Sequence, residues 1–116
     1  MDESAIRDVL NVERAETLAR IRATQADLDA IVAASANSNT DDEHDPEGST
    51  IAYERAQVVA LLAGAQSKLG DIDCALARLS VGGYSVCERC QSQISAERLA
   101  ALPAGRTCFD CANNAT

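Results

Sequence analysis

Two Cys-x-x-Cys pairs, Cys87/Cys90 and Cys108/Cys111, with seventeen residues between them, constrain this chain more than any other feature. Four thiolates at that spacing fill a tetrahedral shell around zinc and leave no open position for water or substrate. The pattern therefore predicts one structural Zn2+ and excludes metal catalysis at that site. The 35 residues from Gly82 to Thr116 hold one Tyr and one Phe. So little apolar bulk could hardly sustain a core without a metal staple. Two other uses of paired cysteines fit less well. Disulfides need an oxidising compartment, yet Met1-Asp2-Glu3-Ser4 begins no basic region followed by an apolar run. A dithiol redox site needs one reactive pair in a βαβ setting, and no such pattern is visible. The fifth thiol, Cys74, lies within a helical pattern and reads as a small residue on a helix face.

At 116 residues the chain is one small domain or two very small modules. Aromatic residues make up 3% and Trp is absent, while Ala and Leu abound, as in long paired helices. The longest apolar run, Val58 to Ala63, falls far short of the roughly 18 residues that span a bilayer. A soluble, cytoplasmic protein is expected. The net charge of −8 argues against direct, sequence-specific binding of nucleic acid, which needs a concentrated Lys/Arg surface. Its distribution is uneven. Residues 1–36 carry −3 and residues 37–50 carry −5, whereas 51–81 and 82–116 are each neutral.

Asp2 to about Ala34 reads as one helix free of Gly and Pro. From Leu18 its apolar positions step by three and four through Ile21, Gln25, Leu28 and Val32, a heptad seam with one polar member. The helix pattern stops at Asn37-Ser38-Asn39-Thr40, whose short polar side chains compete for the backbone. A dense anionic segment, Asp41-Asp42-Glu43-His44-Asp45-Pro46-Glu47-Gly48, follows. A second helix runs from near Thr50 to Leu79, its seam formed by Ile51, Val58, Leu62, Ala65, Leu69, Ile72, Leu76 and Leu79, with Arg55 in one slot. Gly64 and Gly70 each weaken it by about 1 kcal/mol relative to Ala, which packing must offset. Gly82-Gly83 then ends it. The expected fold is mostly α: an antiparallel two-helix coiled-coil hairpin over residues 1–81 with an acidic tip loop at about 37–49. Residues 82–116 add a small four-cysteine zinc ribbon with a short helix.

With this arrangement in view, the chain resembles the DksA/TraR family of bacterial transcription regulators. The resemblance rests on Gly83-Tyr84-Ser85-Val86-Cys87-Glu88-Arg89-Cys90, on Gln93-Ile94, on Arg98-Leu99, Ala101 and Pro103, and on Cys108-Phe109-Asp110-Cys111. It implies a non-enzymatic protein that binds RNA polymerase, its coiled coil entering the secondary channel and its tip approaching the active site. The family's tip motif has the form Asp-x-x-Asp-x-Ala. Here Asp42 and Asp45 supply both aspartates, and Glu47 stands where Ala is usual. Members that respond to the alarmone ppGpp use basic residues along the coiled coil and near the finger. The second helix offers only Arg55, Lys68 and Arg78, so any ppGpp response is expected to be weak.

The tip also has a physical rationale of its own. Polymerase active sites hold Mg²⁺, a hard cation that prefers carboxylate oxygens. Asp45, followed by Pro46 and Glu47, has a local use as a helix cap, whereas Asp42 has none and reads as partner-facing. His44 reads as an exposed bystander, and Arg98 as part of the short ribbon helix. Two alternatives stay open. One is a Gre-like accessory factor whose tip acids hold a second Mg²⁺ for RNA cleavage in backtracked complexes. The other is a stress-related zinc-finger adaptor with a different partner.

Overall fold

The computed structural model describes residues 2–37 and 46–114. It contains two long helices, α1 (Glu3–Asn37) and α2 (Pro46–Ser80), followed by two short ones, α3 (Ala96–Ala101) and α4 (Phe109–Asn113). The long helices pack as a hairpin, and the C-terminal segment carries the four cysteines.

Local chemistry sets the helix ends. At the start of α1, the Asp2 carboxylate accepts the Ala5 amide at 2.7 Å, satisfying one of the donors the first turn leaves open. Arg7 pairs with Glu3 one turn back at 2.8 Å. The second helix begins at Pro46, earlier than the apolar pattern indicates, with Gly48 already inside it. Proline suits a first helical position because its fixed φ matches the helix and its missing N–H would have no partner there. At the other end, the Gly83 amide donates to the Arg78 carbonyl at 2.8 Å and the Gly82 amide to Leu79 at 3.4 Å. With Gly82 at φ 84°, this is a Schellman cap, and it closes α2 where the Gly-Gly pair predicts.

The chain forms two compact units. The first comprises Met1–Glu16 and Lys68–Thr116. Its core is Leu10 of α1, Ile72, Ala75 and Leu79 of α2, and Tyr84 beyond the cap. Ile6, Leu76, Leu99 and Ala104 pack against that cluster. Each fully buried aliphatic side chain, as Leu10 and Ile72 are here, contributes about 1.5–3 kcal/mol to the unit. An ion pair between Arg14 and Asp73 at 2.6 Å joins the two long helices, but both side chains are over a third exposed and it adds little. Cys74 is exposed on α2, as a helix-face residue should be.

The second unit is Thr17–Ser67. On α2 the expected seam holds, with Leu62 and Ala65 buried and Ile51 and Val58 half-buried, while Arg55 is exposed. On α1 the seam is displaced. Leu18, Ile21 and Leu28 are half-buried as expected, but the inward row runs from Thr17, which is buried, through Ile21, Thr24, Leu28, Ile31 and Ser35, all half-buried. Gln25 and Val32 are exposed instead, and Gln25 donates to Asp29 at 3.0 Å. Steps of four and three from Thr17 place Thr24 and Ile31 inward, and burying the small Thr24 avoids desolvating the larger Gln25 amide. A pattern based on large apolar side chains passes over Thr and Ser at seam positions.

Candidate metal centre

The first cysteine pair is held by a tight turn. The Cys87 amide donates to the Ser92 carbonyl at 2.8 Å, and the Gln91 amide returns a bond to the Cys87 carbonyl at 2.9 Å. Gln91 adopts φ 63°, the left-handed region that a non-glycine residue enters only at a cost. Just outside, Val86 and Gln93 form an antiparallel bridge, and the Ile94 amide donates to Ser85 at 2.8 Å. The expected ribbon is thus reduced to one isolated bridge among the described residues.

The second pair is carried by a helix start. Cys108 is the N-cap of α4, its sulfur accepting the Cys111 amide at 3.5 Å. Cys111 lies within α4, a short helix that the sequence pattern does not show. Between the pairs, Ser95 caps α3 by accepting the Arg98 amide at 3.1 Å, and the Arg98 side chain donates to the Thr107 carbonyl at 2.9 Å. Arg98 is therefore structural, bracing the loop that delivers Cys108.

All four cysteine sulfurs lie within 4.8 Å of one another, and the Sγ atoms of Cys90 and Cys108 are 3.7 Å apart. A tetrahedron of zinc–sulfur bonds about 2.3 Å long has an S···S edge of about 3.8 Å, so the cluster fits one zinc ion. Cys87 is fully buried, Cys108 and Cys111 are half-buried, and Cys90 is exposed. When bound, the metal supplies cross-linking and no open coordination position.

Without metal the thiols are unequal. Burial opposes ionisation of Cys87, but amide hydrogen bonds from Cys108, Cys90 and Arg89 outweigh it and hold the thiol down to about 6. Cys90 is drawn down by the hydroxyl and amide of Ser92. Cys111 is pushed up to about 12, because it shares hydrogen bonds with Cys108 and Cys90 that favour its protonated form. Fully ionising this cluster requires a cation.

The two pairs also brace one another. The Glu88 amide donates to the Arg106 carbonyl at 3.0 Å, and Arg89 Nη1 donates to the Cys111 carbonyl at 3.3 Å. Arg106 reaches Glu88 through Nε at 2.9 Å and Asp71 of α2 through Nη1 at 3.3 Å. Deeper in the unit, Arg78 Nη2 donates to the Gly105 carbonyl at 3.2 Å, and the Tyr84 hydroxyl donates to the Pro103 carbonyl at 2.6 Å. Sequence reasoning missed Arg78, Arg106 and Tyr84 in these roles. Tyr84, already part of the motif that carries the resemblance, and Arg106 lie close to the cysteine pairs, whereas Arg78 stands nine positions before Cys87 with no such signal.

The tip residues fare differently. Asp42 and Asp45, with His44, lie outside the described residues. Glu47 belongs to the first turn of α2, and nothing is described of its side chain.

Residues 82–115 match the profile of the prokaryotic dksA/traR C4-type zinc finger. An uncharacterised protein of Aquifex aeolicus (strain VF5) is 46% identical over 44 residues, which are 38% of this chain and 30% of that protein's length. Among solved structures, transcription factor DksA2 from Pseudomonas aeruginosa superposes with a TM-score of 0.77 at 24% identity. That match covers 97% of this chain and 81% of DksA2. The DnaK suppressor protein from Agrobacterium tumefaciens C58 matches with a TM-score of 0.62 at 29% identity, over 98% of this chain and 94% of its own.

Proposed function

We propose, from a dksA/traR C4-type zinc finger on a DksA fold, that this protein is a non-enzymatic transcription regulator that binds bacterial RNA polymerase. In this reading the helical hairpin enters the polymerase secondary channel. Asp42 and Asp45, with Glu47 of the first turn of α2, meet the basic and Mg²⁺-bearing surroundings of the active site. The observation that carries the proposal is the pairing of finger and long hairpin in one chain, in the arrangement of a solved DnaK suppressor protein along nearly its whole length. The acids support it independently. Five carboxylates in residues 41–47 repel one another in the free protein, and a cationic partner relieves that repulsion. Zinc acts as a staple, the workplace is the bacterial cytoplasm, and ppGpp has a minor influence. Among the described residues no helix is long and apolar enough to cross a membrane.

The test is retention of the zinc-loaded protein on core RNA polymerase, paired with transcription from purified components. Wild-type protein is expected to bind and to change promoter output, and blocking the channel should abolish binding. Asp42→Asn with Asp45→Asn should abolish the effect on output. In stalled, backtracked complexes RNA cleavage should not accelerate; acceleration would favour the Gre-like alternative. Unaltered promoter output with wild-type protein would overturn the proposal.

A further inference from the structure

We infer that Glu88 and Arg106 form a positioning clamp that retains zinc, acting through their contacts with one another and not through the field of their charges at the metal. Neither residue has a donor atom in the metal shell. Glu88 lies between Cys87 and Cys90, and Arg106 stands two residues before Cys108, so each is attached to a different half of the site. Two contacts join the same two residues: the Glu88 amide to the Arg106 carbonyl at 3.0 Å, and Arg106 Nε to the Glu88 carboxylate at 2.9 Å. A main-chain bond and a side-chain bond in parallel fix both the separation and the relative twist of the two turns. Either bond alone leaves a hinge.

The guanidinium is itself oriented from a third direction. Its Nη1 reaches Asp71 on α2 at 3.3 Å while Nε serves Glu88, so one planar group spans the helix and the first cysteine turn. Arg offers separate N–H directions in one rigid plane; a Lys ammonium carries the same charge without that fork. Groups that orient the ligands outside the metal shell commonly govern how tightly the metal is held. All three side chains are about two-fifths exposed, so the clamp belongs at the modest end of that range.

The clamp and a simple field effect predict opposite patterns. The tetrathiolate site carries net negative charge, so by field alone removing cationic Arg106 should hasten metal loss and removing anionic Glu88 should slow it. A clamp loses its grip whichever partner is removed. The experiment follows zinc transfer from the full-length, zinc-loaded protein to excess 4-(2-pyridylazo)resorcinol, with helicity measured in parallel. Glu88→Ala and Arg106→Ala, which remove the side-chain bond outright, are each expected to speed release about threefold to fivefold, with helicity of the loaded protein unchanged. The double variant should match the Arg106 single variant, which already removes both side-chain bonds, and Arg106→Lys should also release faster despite keeping its charge. Opposite signs for the two single variants, additive effects, or rates within twofold of wild type would each overturn the clamp.

Discussion

The Tyr84 hydroxyl donates to the Pro103 carbonyl at 2.6 Å while its ring lies in the same buried cluster as Leu10 and Ile72. One side chain thus fastens the loop between α3 and Cys108 to the core shared by the two long helices. Tyr84→Phe keeps the ring and removes the donor, leaving the Pro103 carbonyl without that partner. A loss of about 1–2 kcal/mol in urea unfolding of the zinc-loaded protein is expected. Tyr84→Ala also leaves a cavity and should cost about 3–5 kcal/mol.

The same residue predicts an alkaline effect. Burial raises the Tyr84 pKa, with Arg78 opposing and Glu13 adding to the rise. A folded value above the unfolded one of about 10 means its stabilisation is complete below that pH. Stability then falls as pH rises through the folded value. Tyr84→Phe should flatten this alkaline decline, and an unchanged slope in pH-dependent melting would assign the decline to other groups.

The glycines should divide sharply on substitution. Gly82 sits at φ 84° with open space around a would-be Cβ, so Gly82→Ala meets backbone strain and no steric clash, at a cost of about 1–2 kcal/mol. Gly64 and Gly70 are helical and equally open, so Ala at either should stabilise by about 0.5–1 kcal/mol. Chemical denaturation of the three variants checks the opposed signs.

Gln91 gives the converse case at the metal turn. Its left-handed backbone suits glycine, and its side chain contributes only a 3.3 Å bond to the Glu88 carbonyl. Gln91→Gly should be neutral or stabilising by up to about 1 kcal/mol, whereas Gln91→Val should destabilise. Thermal melting of the loaded proteins distinguishes them.

Zinc retention should weaken on acidification. With Cys87 held down to about 6, protons begin to compete for even its most readily ionised thiolate as pH approaches that value. Above it, Cys87 is ready to bind, while Cys111, pushed up to about 12, still surrenders a proton when metal arrives. Zinc uptake by the apo protein near pH 8 should therefore release fewer than four protons per ion. Calorimetry in buffers of different ionisation enthalpy counts them, and a full four would contradict the lowered Cys87.

Much of this was legible in the residues. The cysteine spacing pointed to the four-sulfur cluster because a CxxC turn brings its own two sulfurs together whatever surrounds it. The α2 seam from Ile51 to Leu79 was legible because large apolar groups occupy nearly every inward slot. On α1 the inward slots at Thr17, Thr24 and Ser35 hold small polar residues, so a heptad register drawn from Leu18 fell on Gln25 and Val32, which are exposed. Arg78 and Arg106 resemble ordinary surface cations because their roles depend on partners distant in sequence: Gly105 for Arg78, and Asp71 and Glu88 for Arg106.

Arg14 and Asp73 meet across 59 positions of sequence, and Leu10 shares its cluster with Ile72, Leu79 and Tyr84. During synthesis, the opening turns of α1 must therefore wait until Ile72 and Asp73 have emerged before any of these neighbours exists. Closure of this region is a late, long-range event in folding, slower than winding the helices themselves.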